Sequence, residues 1–321
     1  MEIFRSLEDI PATLGNSVIT IGNFDGVHLG HREIFRTVRK AAEQLRAVSV
    51  VVTFVPHPLK VVSAPKKQLR LINTYTEKET LIAASGIDCM LAIPFTESFA
   101  ALSARAFVED ILVKKLSVAL LIIGYDYSFG SNRQGNVSTL LELGREFGFK
   151  VRVLEPIGHD GLVYSSSKVR ELIQEGDVAG VVPLLGRHFS LGGTVVAGHH
   201  RGAGIGFPTA NIRTEKELVP ASGVYAVKVK IDETIYDGAC NIGNNPTFDN
   251  DESSIEVFLF DFAGDLYGKE LRIYFVTRIR DERRFSGIDE LKSAISADVS
   301  RCREILAATA LMEYREYLER G

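Results

Sequence analysis

The chain has no tryptophan, only three cysteines and no excess of basic residues. Cys89, Cys240 and Cys302 lie far apart, are odd in number and form no C-x-x-C pair. A disulfide framework or a cysteine-based zinc knuckle is therefore not expected; buried thiols in a reducing, cytoplasmic compartment are. Thirty-seven basic residues against 41 acidic ones leave a net charge of −4 and a pI near 6.0. Surfaces that coat nucleic acid displace counterions with a large basic excess, so no nucleic-acid partner is expected, although a local phosphate site remains open. Long apolar runs are also missing. The longest, Val118 to Ile123, is far short of the roughly 18 residues a membrane span needs. The start, Met1-Glu2-Ile3-Phe4-Arg5, meets acid and base at once, unlike a signal peptide, so no membrane association is expected. Finally, no G-x4-G-K-[ST] phosphate loop, internal repeat or low-complexity tract occurs.

What is present is 321 residues, 45% of them hydrophobic, which suits about two globular domains. Up to about residue 185, apolar runs alternate with helical periodicity. Val18 to Ile21, Val48 to Val55, Met90 to Pro94, Val118 to Ile123 and Val151 to Leu154 read as short buried strands. Ile34, Phe35, Val38, Ala42 and Leu45 recur at helical spacing, and 76–85, 98–115 and 138–147 read as further helices. Such alternation predicts a parallel sheet covered on both faces, with ligands bound at the carboxyl ends of its strands. From Phe189 the pattern changes to short strands at Gly193 to Ala197, Gly223 to Ile231, Thr234 to Ile242, Ile255 to Phe262 and Glu270 to Val276. These predict a small antiparallel barrel, followed by a helix over Ile288 to Leu318 with Leu291, Ile295, Val299, Cys302, Ile305 and Leu306 on one stripe. The domains are expected at 1–185 and 186–321.

The first strand runs into Gly22-Asn23-Phe24-Asp25-Gly26-Val27-His28-Leu29-Gly30-His31 and then a helix. Glycines let backbone approach a phosphate, and a helix start offers free N–H groups and a positive dipole end. Two imidazoles three residues apart suit phosphoryl or nucleotidyl transfer; a tight turn with surface histidines is the plainer alternative. A zinc site from His28, His31 and His57 is disfavoured by spacing and by the lack of a completing cysteine or acidic cluster. Ser165-Ser166-Ser167-Lys168-Val169-Arg170 opens a later helix and reads either as a triphosphate clamp or as a serine cap with surface charge. In the second half, Gly198, Gly202, Gly204 and Gly206 could wrap an anion or build a barrel turn. Thr209 and Asn211, one residue apart in an extended segment, project to one face and could share a hard cation such as Mg²⁺.

The Gly22 to His31 segment resembles the G-x-F-D-G-x-H-x-G-H signature of the FMN adenylyltransferase domain of bacterial bifunctional riboflavin kinase/FAD synthetases. Phe54-Val55-Pro56-His57-Pro58, Gly124-Tyr125-Asp126-Tyr127-Ser128-Phe129-Gly130 and Ser165 to Arg170 are similar to that family's F-x-P-H-P, G-x-D-F-x-F-G and S-S-T-x-I-R elements. The loop ending Gly206-Phe207-Pro208-Thr209-Ala210-Asn211 resembles the riboflavin kinase G-F-P-T-A-N element, although its lead-in reads Gly198-His199-His200-Arg201-Gly202. Ile255-Glu256-Val257-Phe258 is similar to the kinase strand that carries the catalytic base, with Phe258 where histidine is usual. Segments at Asn241 to Phe248, Leu266 to Lys269 and Arg280 to Phe285 follow in family order.

This resemblance implies an α/β N-terminal domain, Rossmann-like with a parallel sheet, and a riboflavin kinase-like β-barrel with a C-terminal helix. It implies a two-step enzyme with ATP, riboflavin and FMN as substrates, FAD as product and Mg²⁺ as cofactor. His28, His31 and Glu256 would be catalytic. Gly22, Phe24, Asp25, Gly30, Ser166, Ser167 and Arg170 would bind the adenylylating ATP, and Asn23, His57 and Asp126 the FMN. Gly198, Arg201, Gly204, Gly206, Pro208, Asn241, Arg280 and Phe285 would bind ATP or flavin in the kinase, with Thr209 and Asn211 on the metal. Two alternatives stay open: an adenylyltransferase for another phosphate ester with a non-catalytic barrel, and a binding module that senses flavin without turnover.

Overall fold

The computed structural model describes residues 1–11, 14–62, 69–159, 162–198, 203–244 and 253–313. The chain divides into two compact units, Met1–Ser165 and Ser166–Gly321.

The first unit is a parallel sheet with helices on both faces. Its strands are β1 (Glu2–Phe4), β2 (Ser17–Ile21), β3 (Val48–Val55), β4 (Cys89–Pro94), β5 (Val118–Gly124) and β6 (Lys150–Leu154), in spatial order β1-β4-β3-β2-β5-β6. Every pairing in it is parallel. Because strand side chains alternate, one run of apolar residues serves two cores. Ile19, Ile21, Val50, Val52, Leu91, Ile93, Leu121 and Ile123 share a core with Phe107, Ile111, Leu140 and Leu143. Their neighbours Val18, Val51, Met90, Ala92, Leu120 and Ile122 share the other with Phe35, Val38, Ala42 and Ile82. The covering helices are α1 (Leu29–Leu45), the short α2 (Pro58–Val62), α3 (Tyr75–Ala84), α4 (Glu97–Ala100), α5 (Ala104–Ala106) and α6 (Val137–Phe147).

Two expectations for this unit need correction. Leu45 is exposed and Ala41 is buried instead; α1 ends at Leu45, with Arg46 in the left-handed conformation. The helix expected over 98–115 is broken into α4, α5 and a π-helical stretch, Phe107–Lys115. The Thr96 and Ser103 side chains each accept a backbone N–H and start new helices, at Phe99 (3.1 Å) and Ala106 (3.1 Å). Strand β1 has no counterpart in the expectations; three residues at a sheet edge carry too little pattern.

The second unit begins with α7 (Ser166–Glu175) and α8 (Val182–Leu185). Beyond two short paired strands at the end of the first unit, β7 (Gly158–His159) and β8 (Leu162–Val163), come β9 (Ser190–Val196), β10 (Ala210–Arg213), β11 (Gly223–Ile231), β12 (Thr234–Asn244), β13 (Ser253–Leu259) and β14 (Glu270–Arg280). The last six close an antiparallel barrel in the order β10-β13-β12-β11-β14-β9. Helix α9 (Ile288–Ala307) lays Val299, Cys302, Ile305 and Leu306 on Ala226, Phe260 and Val276 of the barrel unit.

Helix α9 ends at Ala307, not at Leu318. The chain then turns back to the barrel: Met312 and His188 exchange hydrogen bonds (Met312 N–H to His188 Nδ1, 3.0 Å; His188 N–H to Met312 O, 3.1 Å). Glu313 accepts from Tyr274 and Lys230. Those partners pull the chain out of helical register; residues 314–318 lie outside the described residues.

Candidate functional site

In the parallel sheet the chain winds outward from β2 through β3 to β4, then reverses through β5 to β6. The loops after β2 and β5 therefore flank the point where strand order reverses, the place where an open α/β sheet leaves a crevice for ligands. Those loops carry the Gly22 to His31 motif and Tyr125-Asp126.

His28 is the N-cap of α1, and its Nδ1 accepts the His31 N–H at 3.3 Å. The two imidazoles stack with centroids 3.6 Å apart and planes at 21°. Gly30 permits this arrangement: a Cβ there would sit 3.1 Å from the His28 ring and 3.2 Å from Tyr164 Cβ. The His31 ring meets the edge of Phe24 at 5.2 Å, and Phe24 itself rests on Phe35. Nδ1 of His31 is buried without a hydrogen-bond partner among the described residues. Burial first, then the charges of His28 and Lys78, hold His31 well below the ordinary histidine range, so it is neutral at pH 7.

Asp25 is buried and accepts the Ile72 N–H at 3.0 and 3.2 Å and the Asn73 N–H at 3.4 Å, pinning the loop to the segment ahead of α3. Asn23 is held through its carbonyl by the Thr53 hydroxyl (3.3 Å) and Lys78 Nζ (3.4 Å). His57 Nδ1 accepts the Leu59 N–H at 3.1 Å, and its backbone N–H donates to the Tyr75 hydroxyl at 3.1 Å. Asp126 is exposed. The three-histidine zinc reading finds no support: among the described residues no group of three His, Cys, Asp or Glu could hold a metal.

In the second unit, Ser166 and Ser167 occupy the first turn of α7 and Arg170 is half-buried, while Lys168 is engaged with Glu171 at 2.7 Å. The barrel brings a separate set together. Glu256 on β13 is in register with Asn211 on β10 and with Asn241 on β12, so the three side chains share one face across three strands. Thr209, just ahead of β10, donates its hydroxyl to Glu256 Oε2 at 3.1 Å. A Cβ at Gly198 would lie 1.9 Å from Asn211 Nδ2, so a side chain there would have to displace the Asn211 amide. Thr209 and Asn211 thus offer adjacent hard oxygens, a donor set that fits Mg²⁺. Gly204 and Gly206 are exposed in the turn before Pro208. Arg201 lies outside the described residues.

Arg280 makes a different contact. Its guanidinium is paired with Asp298 of α9 (Nη2 to Oδ2 2.8 Å, Nε to both oxygens at 3.0 and 3.1 Å), and Phe285 stacks near it at 5.5 Å. Phe258, where the resembling family has histidine, meets Phe207 edge-on at 5.6 Å and Phe260 at 5.6 Å. Its ring thereby braces the segment that carries Pro208 and Thr209.

Sequence reasoning missed Lys78, Phe207 and Asp298. For Lys78 a signal existed: it falls one turn before the buried Ile82 on the inward stripe of α3, a position where a solvated lysine is out of place.

Comparison with known proteins follows the same division. A family model described as FAD synthetase matches residues 10–168, and one described as riboflavin kinase matches residues 185–306. A bifunctional riboflavin kinase/FMN adenylyltransferase of Buchnera aphidicola subsp. Acyrthosiphon pisum is 38% identical over 302 residues, 93% of this chain and 96% of that protein. The protein of the same name from Escherichia coli K12 is 37% identical over 311 residues, covering 96% and 99%. A crystal structure titled macrolide-efflux protein from Streptococcus pneumoniae superposes with a TM-score of 0.85 at 33% identity, covering 94% of this chain and 98% of that one. Among the described residues of the present chain, no helix is long and apolar enough to cross a membrane.

Proposed function

This chain belongs to the family of bifunctional riboflavin kinases/FMN adenylyltransferases, and from that membership we propose a role for each residue of its two sites. The C-terminal half phosphorylates riboflavin to FMN and the N-terminal half adenylylates FMN to FAD.

In the kinase, the riboflavin 5′-hydroxyl oxygen attacks the γ-phosphorus of ATP, the bond to the β-γ bridging oxygen breaks, and ADP leaves. Glu256 takes the hydroxyl proton. Thr209 and Asn211 would hold Mg²⁺, which neutralises phosphate charge when bound. Asn241, Gly198, Gly204, Gly206 and Pro208 line the substrates; Arg201 and Phe285 complete the set by resemblance. Arg280, held by its ion pair with Asp298, belongs to the same ATP- or flavin-binding set.

In the adenylyltransferase, an FMN phosphate oxygen attacks the α-phosphorus, and pyrophosphate leaves with the α-β bridging oxygen. His28 and His31 stabilise charge growing on the α-phosphate, supported by their stacking at the start of α1. Gly22, Phe24 and Gly30 shape the loop around the nucleotide, Asp25 anchors it, and Ser166, Ser167 and Arg170 bind the triphosphate. Asn23, His57 and Asp126 contact FMN. The functional division falls at 185/186, although α7 and α8 belong to the second compact unit. We place the enzyme in the cytoplasm, in keeping with its demand for ATP and its three buried free thiols.

The observation that carries this reading is the contact of Thr209 with Glu256 in the same chain as the stacked His28–His31 pair. Incubation with riboflavin, ATP and Mg²⁺ should yield FMN and then FAD by chromatography. FAD formed only from supplied FMN would remove the kinase half of the reading.

A further inference from the structure

Lys78 is a buried ammonium that the reaction described above does not use. It projects from α3 beneath the loop after β2, only 6% exposed. Its Nζ donates to two neutral oxygens, the Asn23 carbonyl at 3.4 Å and the Thr53 hydroxyl at 3.1 Å, and lies 5.2 Å from the Tyr75 ring centre. Among the described residues no ion pair of Lys78 forms, and the carboxylate of Asp25 is turned to the amides of Ile72 and Asn73. A buried charge without a contacting counter-charge costs stability, and such charges are ordinarily paired. His31, whose buried Nδ1 has no hydrogen-bond partner among the described residues, sits in the first turn of α1, directly after the same loop.

We propose that Lys78 is a positioning residue of adenylyl transfer: it fixes the Asn23 turn and supplies, from below, positive charge that a bound pyrophosphate group completes. The inference rests on the adenylyltransferase reading of this loop. Desolvation lowers the free ammonium to about 8, against the raising influence of Asp25 and Glu79. A phosphate anion above it raises that value again. Anion binding near pH 8 therefore draws a proton onto Lys78, up to about half a proton per site. His31, lowered by burial, His28 and Lys78, is already neutral at that pH.

The test uses the full-length enzyme with inorganic pyrophosphate as the probe. Binding heats measured at pH 8 in buffers of different ionisation enthalpy should show proton uptake in the wild type and a smaller uptake in Lys78→Met. Lys78→Arg keeps the charge but cannot titrate there, so it should bind with the reduced uptake. FAD formation from FMN should fall about tenfold or more in Lys78→Met, with higher KM values for FMN, through the loosened Asn23 turn, and for ATP. Riboflavin phosphorylation by the same molecules serves as the internal control and should not change. The variant should melt no lower than the wild type, because a desolvated charge has been removed; a merely structural lysine would show the opposite. Unchanged FAD formation, or proton uptake unaltered in both variants, overturns the proposal. Failure of pyrophosphate to bind even the wild type would instead remove the adenylyltransferase reading of the loop, and this inference with it.

Discussion

His28 and His31 stack too closely for both to carry a proton at low cost, and burial keeps His31 neutral. A neutral imidazole can still donate one hydrogen bond to a phosphate oxygen. Loss of one such donor at a developing charge costs about 10²–10³ in rate, so His28→Ala or His31→Ala should cut FAD formation by that factor. FMN formation should be spared, and equal loss of both activities would mean misfolding instead. The same burial has a consequence for stability. In the unfolded chain His31 binds a proton below about 6.5, whereas in the folded chain it resists protonation. Stability is thus fully present above that pH and is lost as the solution becomes more acid. Thermal melts between pH 8 and 5 should fall more steeply for the wild type than for His31→Gln; parallel curves would refute the assignment. Glu256 offers a cleaner separation in the other half. Glu256→Gln keeps its size and can still meet Thr209, but it cannot take a proton, so riboflavin phosphorylation should drop by roughly 10²–10⁴. Supplied FMN should still become FAD at the normal rate.

Helix α9 is held to the barrel by two different forces. Its Val299, Cys302, Ile305 and Leu306 stripe buries apolar surface, and Asp298 pairs with Arg280 at 11% and 22% side-chain exposure. Removing one partner of a buried pair costs about 3–5 kcal/mol, and the partial exposure of Arg280 brings the expectation to about 2 kcal/mol. Asp298→Ala should therefore lower the melting temperature of the barrel. Kinase turnover should fall with it, since Arg280 also stacks with Phe285. Asp298→Asn, which retains an acceptor, should recover part of both. A variant that melts like the wild type would show that the apolar stripe alone anchors the helix.

The two compact units part at 165/166, twenty residues ahead of the proposed functional boundary. Arg278 of β14 explains the difference, because its guanidinium donates to the Glu175 carbonyl at the end of α7 and to the Ser222 carbonyl beside the barrel. A fragment from Gly186 to Gly321 keeps Thr209, Asn211, Asn241 and Glu256 and should phosphorylate riboflavin. A fragment from Ser166 to Gly321 should do the same and melt higher, since it retains the α7 contacts. Both can be purified and compared by melting and by FMN production. A folded fragment without kinase activity would show that the two sites are not independent.

The sequence by itself determined the class of both units and most of their strands, because strands buried on both faces are predominantly apolar and β-branched and barrel strands are punctuated by turn residues. Val48–Val55 and Gly223–Ile231 are delimited by composition alone. The motifs at Gly22 to His31 and at Thr209 to Asn211 were equally legible, since their glycines and side-chain types are local requirements. Tertiary structure decided what depends on partners distant in sequence. It broke 98–115 into three pieces and ended α9 at Ala307, where His188, Tyr274 and Lys230 offer bonds that no local pattern contains. It gave Asn211 and Glu256 a shared register, turned Arg280 towards Asp298, and set Phe258 against Phe207. Above all it buried Lys78 under the histidine loop: periodicity can place a lysine on the inward stripe of a helix, but only the packed chain brings Asn23 and Thr53 within reach of its ammonium.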